Sequence, residues 1–87
     1  MTNMEIMKFA KQQVADYYNL NVPKTAGQLL SADDIYMVWF CKTLQNWKAL
    51  LSTPVADGMY YEITHNGDKN ETYVDVYKKC ENLCVHS

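Results

Sequence analysis

Between Met59 and Lys78 the chain alternates bulky apolar and polar side chains, and the alternation breaks once, at Asn66-Gly67-Asp68-Lys69-Asn70. Period-two alternation places successive side chains on opposite faces, so MYYEITH and ETYVDVYK are expected to form the two strands of a hairpin. Its register can be argued. A tight two-residue turn at Asn66-Gly67 would set Ile63 against Asn70 and Tyr61 against Thr72. A longer loop from Gly67 to Asn70 sets Ile63 against Val74 and Tyr61 against Val76. The second gathers apolar partners on one face, which fixes register in a half-buried sheet, and it is the register expected. The opposite face then carries Tyr60, Glu62 and Thr64 across from Tyr77, Asp75 and Tyr73.

The first segment has a different period. Ile6, Ala10, Val14 and Tyr17 recur at helical spacing, widened by Met7 and Tyr18, while Lys8, Lys11, Gln12 and Asp16 fall on the other side. Thr2 and Glu5 have the spacing of a capping box, and Asn19 followed by Pro23 marks the end. A helix over 1–19 follows. Residues 20–34 form a connector containing Pro23, Gly27 and Asp33-Asp34. Leu29 and Leu30 are expected to plug the core there, with help from Leu20 and Val22, and a short helical turn is compatible.

The stretch Ile35 to Thr53 supports two readings. Ile35-Tyr36-Met37-Val38-Trp39-Phe40 is dense in β-branched and aromatic residues, as strands are. Met37, Phe40, Leu44, Trp47 and Leu51 nevertheless keep a helical rhythm, and Ser31-Ala32-Asp33-Asp34 could cap a helix. Two strands, 35–43 and 47–53, turning near Gln45-Asn46, are preferred, because a helix through that run would be apolar all round. The tail from Cys80 to Ser87 either extends the last strand or turns helical. The expected fold is therefore a single α+β domain over 1–87. Its N-terminal helix packs on a three- or four-stranded antiparallel meander over 35–80.

Composition narrows what such a domain does. With 87 residues and 48% hydrophobic content the chain can build one small core. A net charge of −2 argues against binding nucleic acid by bulk electrostatics. All eight basic residues are lysine, so the forked guanidinium that suits guanine and phosphate is missing. The three cysteines Cys41, Cys80 and Cys84 are an odd set, unlike a secreted disulfide framework. The N-terminus has charges within its apolar stretch, unlike a signal peptide, and the run Ile35 to Cys41 is too short to span a bilayer. A cytoplasmic protein with free thiols and no membrane association is expected, and the sequon Asn70-Glu71-Thr72 is then without consequence.

Candidate chemistry is sparse. Cys80, Cys84 and His86, with His65, could ligate a metal, but structural zinc usually joins a close cysteine pair to a second pair elsewhere, and the chain has no second cysteine pair, so no metal or other cofactor is expected. Glu62 opposite Asp75 pairs like charges, which invites a cation; solvated acids beside Lys78 or Lys69 fit better than a catalytic dyad, which needs a pocket. No nucleophile triad or phosphate-cradling loop is present, and no catalytic residue is assigned. The ladder of Tyr60, Tyr73 and Tyr77 with Glu62, Thr64 and Asp75 has the composition of a binding surface, since tyrosine is rigid, amphipathic and enriched where proteins dock. Lys42, Trp47 and Lys48 offer an alternative, with an indole and two ammonium groups for single-stranded nucleic acid. Trp47 also fits a core anchor.

The segment Val38 to Leu50, then Gly58 to Thr64 and Tyr73 to Lys79, resembles short uncharacterised proteins encoded by phages and prophages of Gram-positive bacteria. That family has no assigned activity, so the resemblance transfers no site residue. It implies context. Small phage accessory proteins often bind and disable a host protein, and inhibitors of CRISPR and other defence systems are among them. The expectation is a non-enzymatic module that binds a host or phage protein in the host cytoplasm, with self-association through an open sheet edge also compatible. Direct binding to nucleic acid is the second reading.

Overall fold

The computed structural model describes residues 2–22 and 28–86. It contains helix α1 (Asn3–Asn21), a single 3-10 turn (Ala32–Asp34), and strands β1 (Tyr36–Thr43), β2 (Asn46–Ser52), β3 (Met59–Asn66) and β4 (Glu71–Lys78). The four strands form one antiparallel sheet in the order β1-β2-β3-β4. This is the α+β meander, with four strands and the helix on one face.

Helix α1 starts where its cap dictates. The Thr2 hydroxyl accepts from the Glu5 N–H at 3.2 Å, and the Glu5 carboxylate accepts from the Thr2 N–H at 2.9 Å. Those two bonds satisfy donors that the first helical turn leaves free, and they hold the Glu5 carboxyl below its ordinary value. Ile6, Ala10, Val14 and Ala15 face the sheet and are buried. The helix runs past Asn19 to Asn21, because Asn19 does not act as a stop. Its amide donates to the Leu30 carbonyl at 2.7 Å and accepts from the Leu30 N–H at 2.8 Å, pinning the connector to the helix.

Leu30 packs against the core as expected, but Leu29 is 64% exposed and Leu20 85% exposed. Asn19 fixes the backbone at Leu30, whose side chain packs on the core, and the neighbouring Leu29 stays outside. Ser31 to Asp34 do form a cap, but of the 3-10 turn and not of an α-helix: the Asp34 carboxylate accepts from the Ser31 N–H at 2.8 Å. Pro23 and Gly27 lie outside the described residues.

The region from Ile35 to Thr53 is sheet. β1 and β2 join through Leu44-Gln45, with Leu44 in the left-handed region at φ 56. In the C-terminal hairpin Ile63 faces Val74 and Tyr61 faces Val76, which is the argued register, with Gly67 to Asn70 as its loop. Asn66 accepts from the Asp68 and Lys69 N–H groups, and Asn70 takes φ 52, a conformation asparagine tolerates. After Lys79, whose N–H donates to the Gly58 carbonyl at 2.8 Å, the tail neither continues the strand nor coils. Cys80 to His86 are irregular and exposed. No run of apolar residues there has a surface to pack on, since Leu83 and Val85 are both exposed.

The core lies between α1 and one face of the sheet: Ile6, Ala10, Val14 and Ala15 against Ile35, Trp47, Ala49, Leu51, Tyr61 and Ile63. The molecule measures 44 × 38 × 20 Å. Packed layers sit about 10 Å apart, so 20 Å accommodates a helix on a sheet and no third layer. Its radius of gyration of 14.3 Å exceeds the about 12 Å of a compact chain of this length, as a slab with one bare side should. No helix among the described residues is long and apolar enough to cross a membrane.

Candidate functional site

The bare side of the slab is the candidate site. Paired residues of antiparallel neighbours point to the same face, so the register reads out its surface directly. Trp39, Leu50, Glu62 and Asp75 make one row across all four strands; Cys41, Lys48, Thr64 and Tyr73 make the next. Tyr60 pairs with Tyr77 and Asn66 with Glu71 on the same side. The sequence-predicted group Tyr60, Glu62, Thr64, Tyr73, Asp75 and Tyr77 is thus brought together as expected. Tyr73 and Tyr77 are each about half exposed.

Three further large side chains join this face that the sequence reading did not place there. Tyr36, Trp39 and Leu50 come from β1 and β2. Trp39 reaches the outer face because β1 shifts register between Met37 and Trp39, leaving Val38 as an extra residue. Beyond that bulge the parity inverts, so Phe40 turns inward opposite Ala49 while Trp39 stays out, 42% exposed. Leu50 carried a usable signal. Once Trp47, Ala49 and Leu51 are inward, Lys48 and Leu50 must be outward.

Charge on the face is mainly negative. The Lys48 ammonium lies 3.7 Å from Glu62, so the cation beside the Glu62–Asp75 pair is Lys48 and neither Lys78 nor Lys69. Lys78 sits on the helix side opposite Met59, and Lys69 is in the exposed loop. The Tyr77 hydroxyl donates to Glu62 at 3.5 Å, and the Tyr73 hydroxyl donates to Glu71. Glu62 raises the Tyr77 phenol above its ordinary value of 10.0, with burial and Asp75 adding to the effect, and the bond to Glu71 raises Tyr73. Both phenols report a surface that resists further negative charge. Tyr61 is raised as well, chiefly by burial in the core.

These shifts have one sign. A phenol whose value is higher in the folded chain stabilises it fully below 10.0, and that contribution is lost as the pH climbs through the folded value. The urea midpoint is therefore expected to decrease as the pH is raised above 10.0. In Glu62→Gln the Tyr77 phenol should titrate closer to 10.0, readable by ultraviolet absorbance of phenolate. An unchanged titration in that variant contradicts the electrostatic account.

Lys42, Trp47 and Lys48 do not share one face. Trp47 is buried, 6.2 Å edge-on from Phe9 and stacked at 5.4 Å on His65. Lys42 pairs with Trp47 on the helix side, while Lys48 points to the open face. An indole enclosed in this way has no face free for a nucleobase. Cys84 and His86 approach to 3.8 Å in the tail, away from His65, whose Nδ1 is paired with the Thr72 hydroxyl at 2.8 Å. Among the described residues no three histidine, cysteine or acidic side chains are grouped to hold a metal.

A family model describing a family of unknown function, DUF6275, matches residues 7–87, from the second turn of α1 through the tail. The chain belongs to that family. No curated protein and no solved structure shows significant similarity to it. The match therefore covers most of the helix and the whole sheet, the open face included, and assigns no residue a role.

Proposed function

We propose that this member of DUF6275 is a non-enzymatic protein-binding module that docks a basic protein surface on its open sheet face. The observation that carries the reading is the uncovered side of the slab, where Tyr36, Trp39, Leu50, Tyr73 and Tyr77 surround an acidic centre. Monomeric proteins rarely leave a contiguous patch of this kind unused. Aromatic side chains supply area at low entropic cost, and an anionic setting selects a lysine- or arginine-bearing partner and speeds its encounter. Glu62, Asp75 and Glu71 face one ammonium, Lys48, so the patch repels acidic partners and nucleic acid alike. Its flatness suits protein contact better than enclosure of a small substrate.

The resemblance to phage and prophage proteins supports placing that partner in a bacterial host, with a component of a host defence system as the first candidate. No observation favours the nucleic-acid reading, whose three residues do not share a surface. The test is capture from host lysate with mass spectrometry, run in parallel on the wild type and on Trp39→Ala/Tyr77→Ala. At about 2 kcal/mol per hot-spot residue, each anchor is worth about 30-fold, and removing both should weaken a specific partner by about 700-fold. A partner held equally by both, with the variant shown to be folded, refutes the open-face reading. Retention on heparin with steep salt dependence would point to nucleic acid instead.

A further inference from the structure

The sheet has two edges, and they differ. β1 is interrupted by the bulge at Val38 and is overlaid by α1, which packs on β1 and β2. β4 has neither protection. Its residues keep one unbroken register with β3 from Glu71 to Lys78, and it contains no proline, bulge or left-handed residue. A long regular edge of this kind is a template for another strand.

Which backbone groups β4 offers follows from one hydrogen bond. The Lys79 N–H donates to Gly58, in line with the pairing of Met59 with Lys78. Antiparallel pairs alternate between bonded and non-bonded, so Tyr77, Asp75, Tyr73 and Glu71 turn their N–H and C=O toward β3. Thr72, Val74, Val76 and Lys78 turn theirs to the free edge. Their side chains lie on the helix side, where Val74 is 37% exposed although it pairs with buried Ile63.

We infer that the occupant of this edge is β4 of a second copy of the chain, paired antiparallel about a two-fold axis through Val74. The axis must keep the helix sides together and pair outward-turned residues with one another, which restricts it to pass through a residue of β4, either an outward-turned one or one between two of them. Centred on Val74, the pairing sets Val74 against Val74, Thr72 against Val76, Tyr73 against Asp75 and Glu71 against Tyr77 of the second copy. Each acid meets a phenol, and no like charges oppose. Centred on Val76, it would set Val74 against Lys78 and Glu71 against Glu81. A non-bonded centre at Asp75 would set two carboxylates directly opposite. The Val74 register alone combines apolar, hydrogen-bonding and charge matching. It joins two four-stranded sheets into one, hides the exposed valine, and runs the tyrosine-rich faces of both copies together. This inference does not depend on what that face binds.

Sedimentation equilibrium across the micromolar-to-millimolar range is the test, combined with amide exchange. The expected mass is twice 10.1 kDa. The N–H groups of Thr72, Val74 and Val76 should exchange slowly, by at least tenfold relative to a dilute sample. Val74→Lys should give a folded chain of single mass, because two lysines would meet on the axis while the monomer loses no ladder bond. Val74→Pro should do the same, since an edge position tolerates proline where its N–H faces solvent. A single-chain mass for the wild type throughout that range overturns the inference. So does a double mass with fast exchange at those amides, which would place the contact elsewhere. A double mass persisting in folded Val74→Lys would overturn it too. Should both variants fail to fold, exchange in the wild type decides.

Discussion

Trp47→Ala is expected to lower the unfolding free energy by about 3–5 kcal/mol, read as a shift of the urea midpoint at unchanged slope. The loss combines the transfer of a large ring out of water with the cavity its removal leaves. Trp47 is 5% exposed at the point where α1 meets the sheet, touching Phe9 from the helix, Phe40 from β1 and His65 from β3. Those partners come from three elements, so no single side chain can relax into the space. A domain of this size has roughly 4–13 kcal/mol in total, at about 0.05–0.15 kcal/mol per residue. The variant should therefore sit close to its unfolding threshold at room temperature. Trp39→Ala is the paired control. Its ring lies on the open face, and removing it should cost less than about 1 kcal/mol, as surface substitutions do. Equal small effects for the two tryptophans would mean that Trp47 is not the anchor of this core.

The contrast between these two indoles shows what a single sequence carries and what it does not. The β3–β4 hairpin was legible to the residue, because strict alternation and a polar loop leave few registers that keep Ile63, Val74, Tyr61 and Val76 on one side. That register delivered the tyrosine ladder with Glu62 and Asp75, half of the candidate face. The other half depends on the bulge at Val38, which inverts the parity of β1. A bulge is decided by how β1 fits β2 and α1, and Tyr36-Met37-Val38-Trp39-Phe40 gives no sign of it, every one of those side chains being suited to either face. Burial of isolated leucines was equally hidden. Leu30 enters the core and Leu29 does not, because Asn19 grips the backbone at Leu30, a contact between residues far apart in the chain. The partner of Glu62 was missed for the same reason, since Lys48 meets it only through the pairing of β2 with β3.

The second large effect is expected at Gly67, where Gly67→Ala should cost about 1–3 kcal/mol, the usual range for forcing an extra carbon into a filled space. A Cβ at this position would lie 2.3 Å from the Gln45 carbonyl oxygen and 2.5 Å from the Gln45 Cγ. Real Cβ atoms do not approach oxygen so closely, so one of the two hairpin tips must move. Neither moves freely. The Gly67 N–H donates to the Asn46 side chain at 2.9 Å, and the Gln45 amide donates to Asp68, so the β1–β2 turn and the β3–β4 loop are clasped together. Leu44, already in the left-handed region beside Gln45, limits how far that turn can shift. Shortening the obstructing side chain tests the cause. Gln45→Ala in the Gly67→Ala background should recover only part of the loss, because the nearest atom belongs to the backbone. Full recovery would show that the side chain alone was the obstacle, and a Gly67→Ala change within about 0.5 kcal/mol would show that the tips separate without cost. The clasp also bears on the open face. It adds to the β2–β3 pairing that sets Leu50 beside Glu62, tying the tip of the β1–β2 hairpin to the β3–β4 loop. Gly67→Ala should accordingly weaken a partner docked across all four strands, though it touches none of the side chains on that face.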